Sequence, residues 1–182
     1  MKTLLFLANG FEEIEALTVV DILRRAKVDI STCSIMDENM VKGSHDIMVI
    51  ADVNIDDIDE NSYDVFILPG GMPGAKNLKE DKRVLNIISN AFEKDKLIAA
   101  ICAAPIVLEE AGILKGKKAT SYPGYLNENG DYDFSEDIVV IDGNVITSRG
   151  PATAAFFAFA ILEKLGIETK SLKESMLFKL NL

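Results

Sequence analysis

Leu97-Ile98-Ala99-Ala100-Ile101-Cys102-Ala103-Ala104-Pro105 is the stretch that decides the fold. Its apolar run is too short for an independent helix and suits a strand buried on both faces. Small residues and a proline close it, and a helical pattern follows from Ile106 to about Ala111. This is the pattern of a strand that turns sharply into a helix, as in the nucleophile elbow of hydrolases. Cys102 occupies the corner. A thiol in that position is expected to be open to solvent and to feel the positive end of the helix dipole, which favours the thiolate. The competing reading is a buried structural cysteine, a common state of this residue.

Working outward, apolar strands alternate with helical patterns along the whole chain. The pattern predicts strands at Lys2 to Ala8, Val28 to Met36, Asp64 to Leu68, Leu97 to Ile101 and Lys118 to Thr120. Helices are predicted at Glu13 to Ala26, Asp81 to Lys94 and Ile106 to Glu110. Val41 to Asn54 reads as a hairpin-like excursion at one edge. Ile138 to Ile141 and Val145 to Ser148 flank a turn at Asp142-Gly143-Asn144. A helix from Pro151 to Leu165 begins on proline and stops at Gly166. Ser171 to Leu180 reads as a last helix, docked on the body or on a second subunit. The class is α/β with a mainly parallel sheet. With 182 residues and no repeat, linker or low-complexity tract, residues 1–182 are expected to form one domain.

Bulk composition narrows the function classes. A chain 48% hydrophobic and 26% charged is an ordinary globule. Its formal net charge of −10 argues against nucleic acid and anionic membranes as partners. The most apolar stretch, Pro151 to Leu162, falls short of the roughly 20 residues that span a bilayer. Met1-Lys2-Thr3 leads straight into a strand too short for a signal core. Two cysteines, Cys33 and Cys102, make no disulfide framework, and a reducing cytoplasm is the expected compartment. Cys33 sits inside a predicted strand and reads as structural.

In an open α/β sheet, sites lie beyond the carboxyl ends of the strands. Three segments qualify. Asn9-Gly10-Phe11-Glu12-Glu13-Ile14-Glu15 follows the first strand, Pro69-Gly70-Gly71-Met72-Pro73-Gly74 follows the strand at Asp64 to Leu68, and Cys102 follows the next. Acids in a first helical turn are explained by the helix dipole alone. A carboxyl facing the sheet edge could instead exchange a proton with a thiol. Gly70 and Gly71 form either a plain turn or a set of amides aimed at an oxyanion. The glycine segment is not a phosphate loop, since Gly-Lys-Ser/Thr is missing, nor a dinucleotide fingerprint, since Ala75-Lys76-Asn77 is not its helix opening. One histidine, His45, and two distant cysteines do not make a zinc site. Neither metal nor cofactor is expected. His45 reads as a surface or interface residue, and serves Cys102 as a base only if the fold brings it near. Arg149, in Thr147-Ser148-Arg149-Gly150-Pro151, either binds an anionic substrate group or makes a structural ion pair.

Four segments occur in register: Gly10-Phe11-Glu12-Glu13-Ile14-Glu15, Leu68-Pro69-Gly70-Gly71, Ala100-Ile101-Cys102-Ala103-Ala104-Pro105 and Thr147-Ser148-Arg149-Gly150-Pro151. Together they resemble the ThiJ/PfpI superfamily, in the branch of parkinsonism-associated deglycases and bacterial ThiJ/YajL-type proteins. The resemblance implies a flavodoxin-like three-layer sandwich, related to class I glutamine amidotransferase domains, and a homodimer. It implies that Cys102 is the elbow cysteine, that Glu15 is the acid hydrogen-bonded to its sulfur, and that Gly70, Gly71 and Ala103 supply backbone donors. It further implies a role in oxidative and carbonyl stress, with glyoxalase or deglycase activity on small 2-oxoaldehydes or their glycated adducts. A redox sensor or a chaperone with little turnover is the alternative, the chaperone reading drawing on the apolar stretch Met176-Leu177-Phe178. Many members carry a histidine about twenty residues past the cysteine; here Tyr122 stands there, a poor base with a reference pKa near 10. The protease-like branch has histidine directly after the cysteine, where this chain has Ala103, so a cysteine peptidase is disfavoured.

Overall fold

The computed structural model describes residues 1–127 and 129–178. In chain order the strands are β1 (Lys2–Leu7), β2 (Asp29–Ser34), β3 (Met40–Lys42), β4 (Met48–Ile50), β5 (Val53–Asn54), β6 (Val65–Leu68), β7 (Leu97–Ile101), β8 (Lys118–Ala119), β9 (Asp133–Phe134), β10 (Val139–Asp142) and β11 (Val145–Ser148). The α-helices are α1 (Glu13–Arg25), α2 (Gly74–Glu80), α3 (Lys82–Glu93), α4 (Pro105–Glu110), α5 (Ala154–Lys164) and α6 (Lys170–Ser175).

Seven strands form the central sheet in the order β10-β11-β7-β6-β1-β2-β5. All neighbours pair in parallel except the β10–β11 hairpin. The β2-β1-β6-β7-β11 block is a doubly wound arrangement whose order reverses between β1 and β6. Such a switch point leaves a crevice beyond the strand ends, which is where open α/β sheets bind ligands.

Strand periodicity builds the two layers. Leu5 and Leu7 of β1, with Leu97, Ala99 and Ile101 of β7, face a core completed by α1 and α5. Leu4 and Phe6, with Ile98 and Ala100, face the opposite core, completed by α2, α3 and α4. Adjacent residues point to opposite faces, so an unbroken apolar run is what a sheet covered on both sides demands. Every residue of β7 is buried.

The edge excursion is an antiparallel β3–β4 hairpin standing apart from the main sheet, while β5 joins the main sheet beside β2. The hairpin braces the loop after β1. Gly10 N–H donates to Lys42 O at 2.7 Å and Ser44 N–H to Phe11 O at 2.8 Å.

Some elements differ from expectation. Gly74 does open a helix, α2, directly after the glycine turn. It is short, has no side-chain cap and buries only Gly74, Ala75 and Leu78, so it offers no apolar stripe to read. β9 is two residues long and exists through its pairing with β8, a tertiary contact that periodicity does not encode. The helix predicted from Pro151 starts as a 3-10 turn at Pro151–Thr153 before α5. The last helix ends at Ser175 rather than running on, and positions 179 and 180 of that prediction lie outside the described residues. Phe178 packs on Phe156 and Phe159 at ring-centroid distances of 5.0 and 4.9 Å, so of Met176-Leu177-Phe178 the phenylalanine is docked while Leu177 stays exposed. Among the described residues, no helix is long and apolar enough to cross a membrane.

Candidate active site

Adjacent strands β1, β6 and β7 deliver three loops to one edge. Glu15, Gly70, Gly71 and Cys102 therefore meet at the switch point. Glu12 makes the first link. Its N–H donates to Gly70 O at 2.9 Å, and its carboxylate caps α1 by accepting the Glu15 N–H at 2.8 Å. Glutamate is not a favoured cap residue, which is why capping rules did not single it out. The cap sets the pitch of α1 so that Glu15 points inward, fully buried.

Glu15 Oε2 accepts the Gly70 N–H at 2.7 Å. This changes the role expected for Gly70: its amide is committed to Glu15 and is not available to an oxyanion. The bond also shows why glycine stands here. A Cβ at position 70 would lie 2.7 Å from Cys102 Cβ, 2.7 Å from Glu15 Oε2 and 2.9 Å from Ala103 N.

Cys102 adopts φ +64, a left-handed conformation that is uncommon outside glycine and marks sites held by their surroundings. Its N–H donates to Ser148 O at 2.9 Å, and its own carbonyl accepts the Tyr122 N–H at 2.9 Å. Both flanking loops thus clamp the corner. The residue is only 8% exposed, so the corner is largely enclosed rather than openly exposed as the elbow pattern suggested. Burial pushes the thiol up, the Glu15 charge and hydrogen bond push it further, and the amides of Gly71 and Ala103 act against this by donating to the sulfur. The six-residue α4 does not overcome these effects, and a thiolate set up by the helix dipole is replaced by a thiol that shares protons with a carboxyl.

Burial likewise pushes Glu15 up to about 7, although hydrogen bonds to Cys102 and Gly70 oppose the rise. Its second oxygen, Oε1, is buried without a hydrogen-bond partner, and the Cys102 thiol is a neighbour of this carboxyl. The pair can pass one proton between sulfur and carboxyl. When the charge sits on sulfur, the Gly71 and Ala103 amides face it.

His45 is placed elsewhere. Its Nδ1 lies 2.8 Å from Glu13 Oε2 and its N–H donates to Glu13 Oε1 at 2.7 Å. Glu13 is buried, yet the His45 and Ser44 donors outweigh burial and bring it down to about 2. His45 is raised by the same contact. Glu12, Glu13 and His45 bring ligand-type atoms within 4.8 Å of one another, but these side chains already serve as a helix cap and a charged hydrogen-bonded pair. Cys33 is buried in β2 and pushed up to about 12 by burial, in keeping with a structural thiol. Tyr122 is 47% exposed and its ring packs edge-on against Tyr125 at 6.1 Å; its contact with Cys102 is through the backbone. Arg149 Nη2 lies 3.5 Å from Glu136, beside a cavity also lined by Tyr122.

The model of the DJ-1/PfpI family matches residues 1–164. Protein DJ-1 homolog B of Arabidopsis thaliana is 40% identical over 170 residues, 93% of this chain, and the chain spans 39% of that relative's length. The glutathione-independent glyoxalase DJ-1 of Schizosaccharomyces pombe is 33% identical over 181 residues, covering 93% of this chain and 94% of the relative. Oxidized DJ-1 of Toxoplasma gondii superposes with a TM-score of 0.92 at 35% identity, over 97% of both chains. The sandwich is flavodoxin-like.

Glu15→Gln removes the buried charge and keeps an acceptor for the Gly70 N–H. A carboxyl at about 7 in the folded chain, against 4.5 for an ordinary glutamate, binds its proton more tightly when folded. Its stabilising contribution is present below pH 4.5 and is lost as pH rises through 7. Urea unfolding should therefore show the variant more stable than the wild type by about 3 kcal/mol at pH 8 and nearly equal to it at pH 4. A difference independent of pH would contradict the buried-charge account.

Proposed function

The chain belongs to the DJ-1/PfpI family, and on that premise we propose that it is a carbonyl-stress enzyme acting on small 2-oxoaldehydes without glutathione, with Cys102 as nucleophile and Glu15 as proton carrier. The observation that carries this reading is the buried Glu15 carboxyl, held by the Gly70 N–H at 2.7 Å against the Cys102 side chain. A thiol is a weak nucleophile until it loses its proton. Ionised Glu15 accepts that proton and leaves the charge on sulfur beside the Gly71 and Ala103 amides.

The thiolate then adds to the aldehyde carbon of methylglyoxal, and protonated Glu15 returns a proton to the new alkoxide, giving a hemithioacetal. The carboxylate next removes the hydrogen from the former aldehyde carbon, and the resulting enediol is reprotonated at the neighbouring carbon. The product is a thioester of lactate on Cys102. Water hydrolyses it to lactate and free thiol. The sum is methylglyoxal plus water to lactate, with no external oxidant or reductant. A carboxyl poised near 7 can both take and give protons at neutral pH, so Glu15 serves each step without a downstream histidine. Glycated adducts of 2-oxoaldehydes offer carbon at the same oxidation level and fall within the same substrate class. The S. pombe relative's name as a glyoxalase supports the reading.

A second reading has its own support. A sulfur between a protonatable carboxyl and two amides is suited to hold a sulfinate, and a close structural neighbour was solved oxidized. Peroxide sensing and aldehyde chemistry both draw on the same sulfur. Both cysteines are free, and a reducing cytoplasm is the setting that keeps them so.

We also propose a homodimer. Met40, Met48 and Ile50 of the β3–β4 hairpin are exposed while Val41 between them is buried, so the outer hairpin face carries three apolar side chains beside the exposed Lys42. Ile14 and Leu17 of α1 and Ile47 are exposed apolar residues too, and a second copy of the chain is the occupant proposed for them.

Purified wild type should form lactate from methylglyoxal, and Cys102→Ser should lose at least ~10³-fold in kcat/KM. Equal rates would remove the mechanism. Intact mass after mild peroxide should show two added oxygens on wild type and none on Cys102→Ser; oxidation spread without regard to Cys102 would sink the sensing reading. Sedimentation at micromolar concentration should give twice the 19.9 kDa chain mass, and Met48→Glu with Ile50→Glu should give the monomer, whereas a monomeric wild type would end the dimer proposal.

A further inference from the structure

His45 lies outside the reacting groups, yet it closes a cradle at the entry of α1. Gly43, Ser44 and His45 wrap the carboxylate of Glu13. The His45 N–H donates to Glu13 Oε1 at 2.7 Å, the ring brings Nδ1 to 2.8 Å from Oε2, and the Ser44 hydroxyl lies 3.2 Å from that same oxygen. Gly43 leaves the room, since a Cβ there would fall on the Glu13 carboxyl. The Glu13 side chain is buried while that of His45 is 69% exposed. A buried anion is thus held by a side chain at the surface.

The chain that the cradle grips leads into the site. Residues 9–13 run between the hairpin and the glycine turn and are bonded to both. On the hairpin side, Gly10 N–H donates to Lys42 O at 2.7 Å, Ser44 N–H to Phe11 O at 2.8 Å and Lys42 N–H to Asn9 Oδ1 at 2.9 Å. On the other side, Glu12 N–H donates to Gly70 O at 2.9 Å and Gly74 N–H to Gly10 O at 3.2 Å. The His45 ring also lies 3.9 Å from Glu12 Oε1, and the other Glu12 oxygen accepts the Glu15 N–H at 2.8 Å. The imidazole therefore sits between two buried carboxylates, one of which caps the turn that carries Glu15. Asp46 is the third acid acting on the ring, and it is paired with Lys42. Without the ring, Glu13 loses a donor and the two carboxylates lose the cation between them, which a buried pair tolerates poorly.

We infer that His45 is a positioning residue for the Cys102 reaction: by closing the cradle on Glu13 it fixes the start of α1, and with it the depth at which the Glu15 carboxyl meets the thiol. This rests on the reading of Glu15 as the proton partner of Cys102. His45 acts through Glu12 and Glu13. A neutral ring can still donate from Nδ1, so substitution tests the role more sharply than pH alone.

The test reads Cys102 without turnover, by the rate of iodoacetamide alkylation followed by intact mass across pH. The groups that bear on Glu15 are the Cys102 thiol, the Gly70 N–H and the Glu12 carboxylate. Wild-type alkylation should rise along a limb at about pH 7, where Glu15 becomes able to take the thiol proton. His45→Leu keeps the backbone N–H and removes the ring. It should move that limb upward and slow alkylation at pH 7 by ~3-fold or more, because the Glu12 charge then bears on Glu15 unbalanced. His45→Arg, which restores a cationic donor, should recover most of the rate. In a Glu15→Gln background, His45→Leu should change the rate by less than ~1.5-fold, since the group through which it acts is gone. An equal slowing in both backgrounds would show a general loosening of the chain and overturn the proposal, as would a wild-type pH profile in His45→Leu. A limb that responds to His45 in a protein that forms no lactate supports the positioning role and removes the glyoxalase reading alone.

Discussion

The hydrogen bond from the Gly70 N–H to Glu15 Oε2, 2.7 Å long, is the contact on which the rest of the site depends. It joins the loop after β6 to the first helix, across the point where the strand order reverses. The Glu12 N–H to Gly70 carbonyl bond runs the other way between the same two loops. Together they fix the depth at which Glu15 sits, and hence what the Cys102 thiol meets. The bond exists only because position 70 lacks a Cβ, which would fall on Cys102, Glu15 and Ala103 at once. A turn glycine and a site glycine are here the same residue: backbone freedom matters less at Gly70 than the empty space beside its Cα.

From that contact follows an unusual way of handling a thiol. The helix dipole is a modest and local influence, and α4 is short. Cys102 is enclosed, so a bare thiolate would be expensive to form. The carboxyl beside it is also enclosed and holds its own proton to about 7. Neither group is comfortable with charge, and a single negative charge is best placed on whichever of them the surroundings serve at that moment. The Gly71 and Ala103 amides serve the sulfur; the Gly70 amide serves the carboxyl. A reacting aldehyde or an oxidised sulfur would shift that balance without any large movement of the chain.

How much of this could be read in the chain alone varies with the physical origin of each feature. β7 was legible to the residue, because a strand covered on both faces must be apolar throughout and Leu97–Ile101 is. The juxtaposition of Glu15, Gly71 and Cys102 followed from parallel neighbours ending at one edge. The state of Cys102 did not, since burial is set by loops far away in sequence: Ser148 and Tyr122 hold the corner shut through backbone bonds that carry no side-chain signature. Gly70's commitment to Glu15 was hidden for the same reason, an amide having no residue code. α2 and β9 escaped notice because each is too short to show a period, and both are held by neighbours rather than by their own pattern.

The α1 N-terminus shows which of the competing electrostatic effects governs. Glu13 and Glu15 lie in the same first turn and both are buried, so the helix dipole and loss of water act on both. Yet Glu13 is brought down to about 2 and Glu15 is pushed up to about 7. Two things differ: Glu15 lies deeper, so burial weighs more heavily on it, and Glu13 has more donors, receiving the His45 N–H and lying within hydrogen-bond reach of the His45 ring and the Ser44 hydroxyl, while Glu15 receives the Gly70 N–H and has an oxygen left over. Donor count and depth, not the dipole, separate a permanent anion that anchors the hairpin from a carboxyl free to trade protons with a thiol. The hairpin therefore belongs to the chemistry although it never touches the sulfur. By satisfying Glu13 completely, Ser44 and His45 leave Glu15 as the carboxyl of this turn whose proton is poised to move near neutral pH.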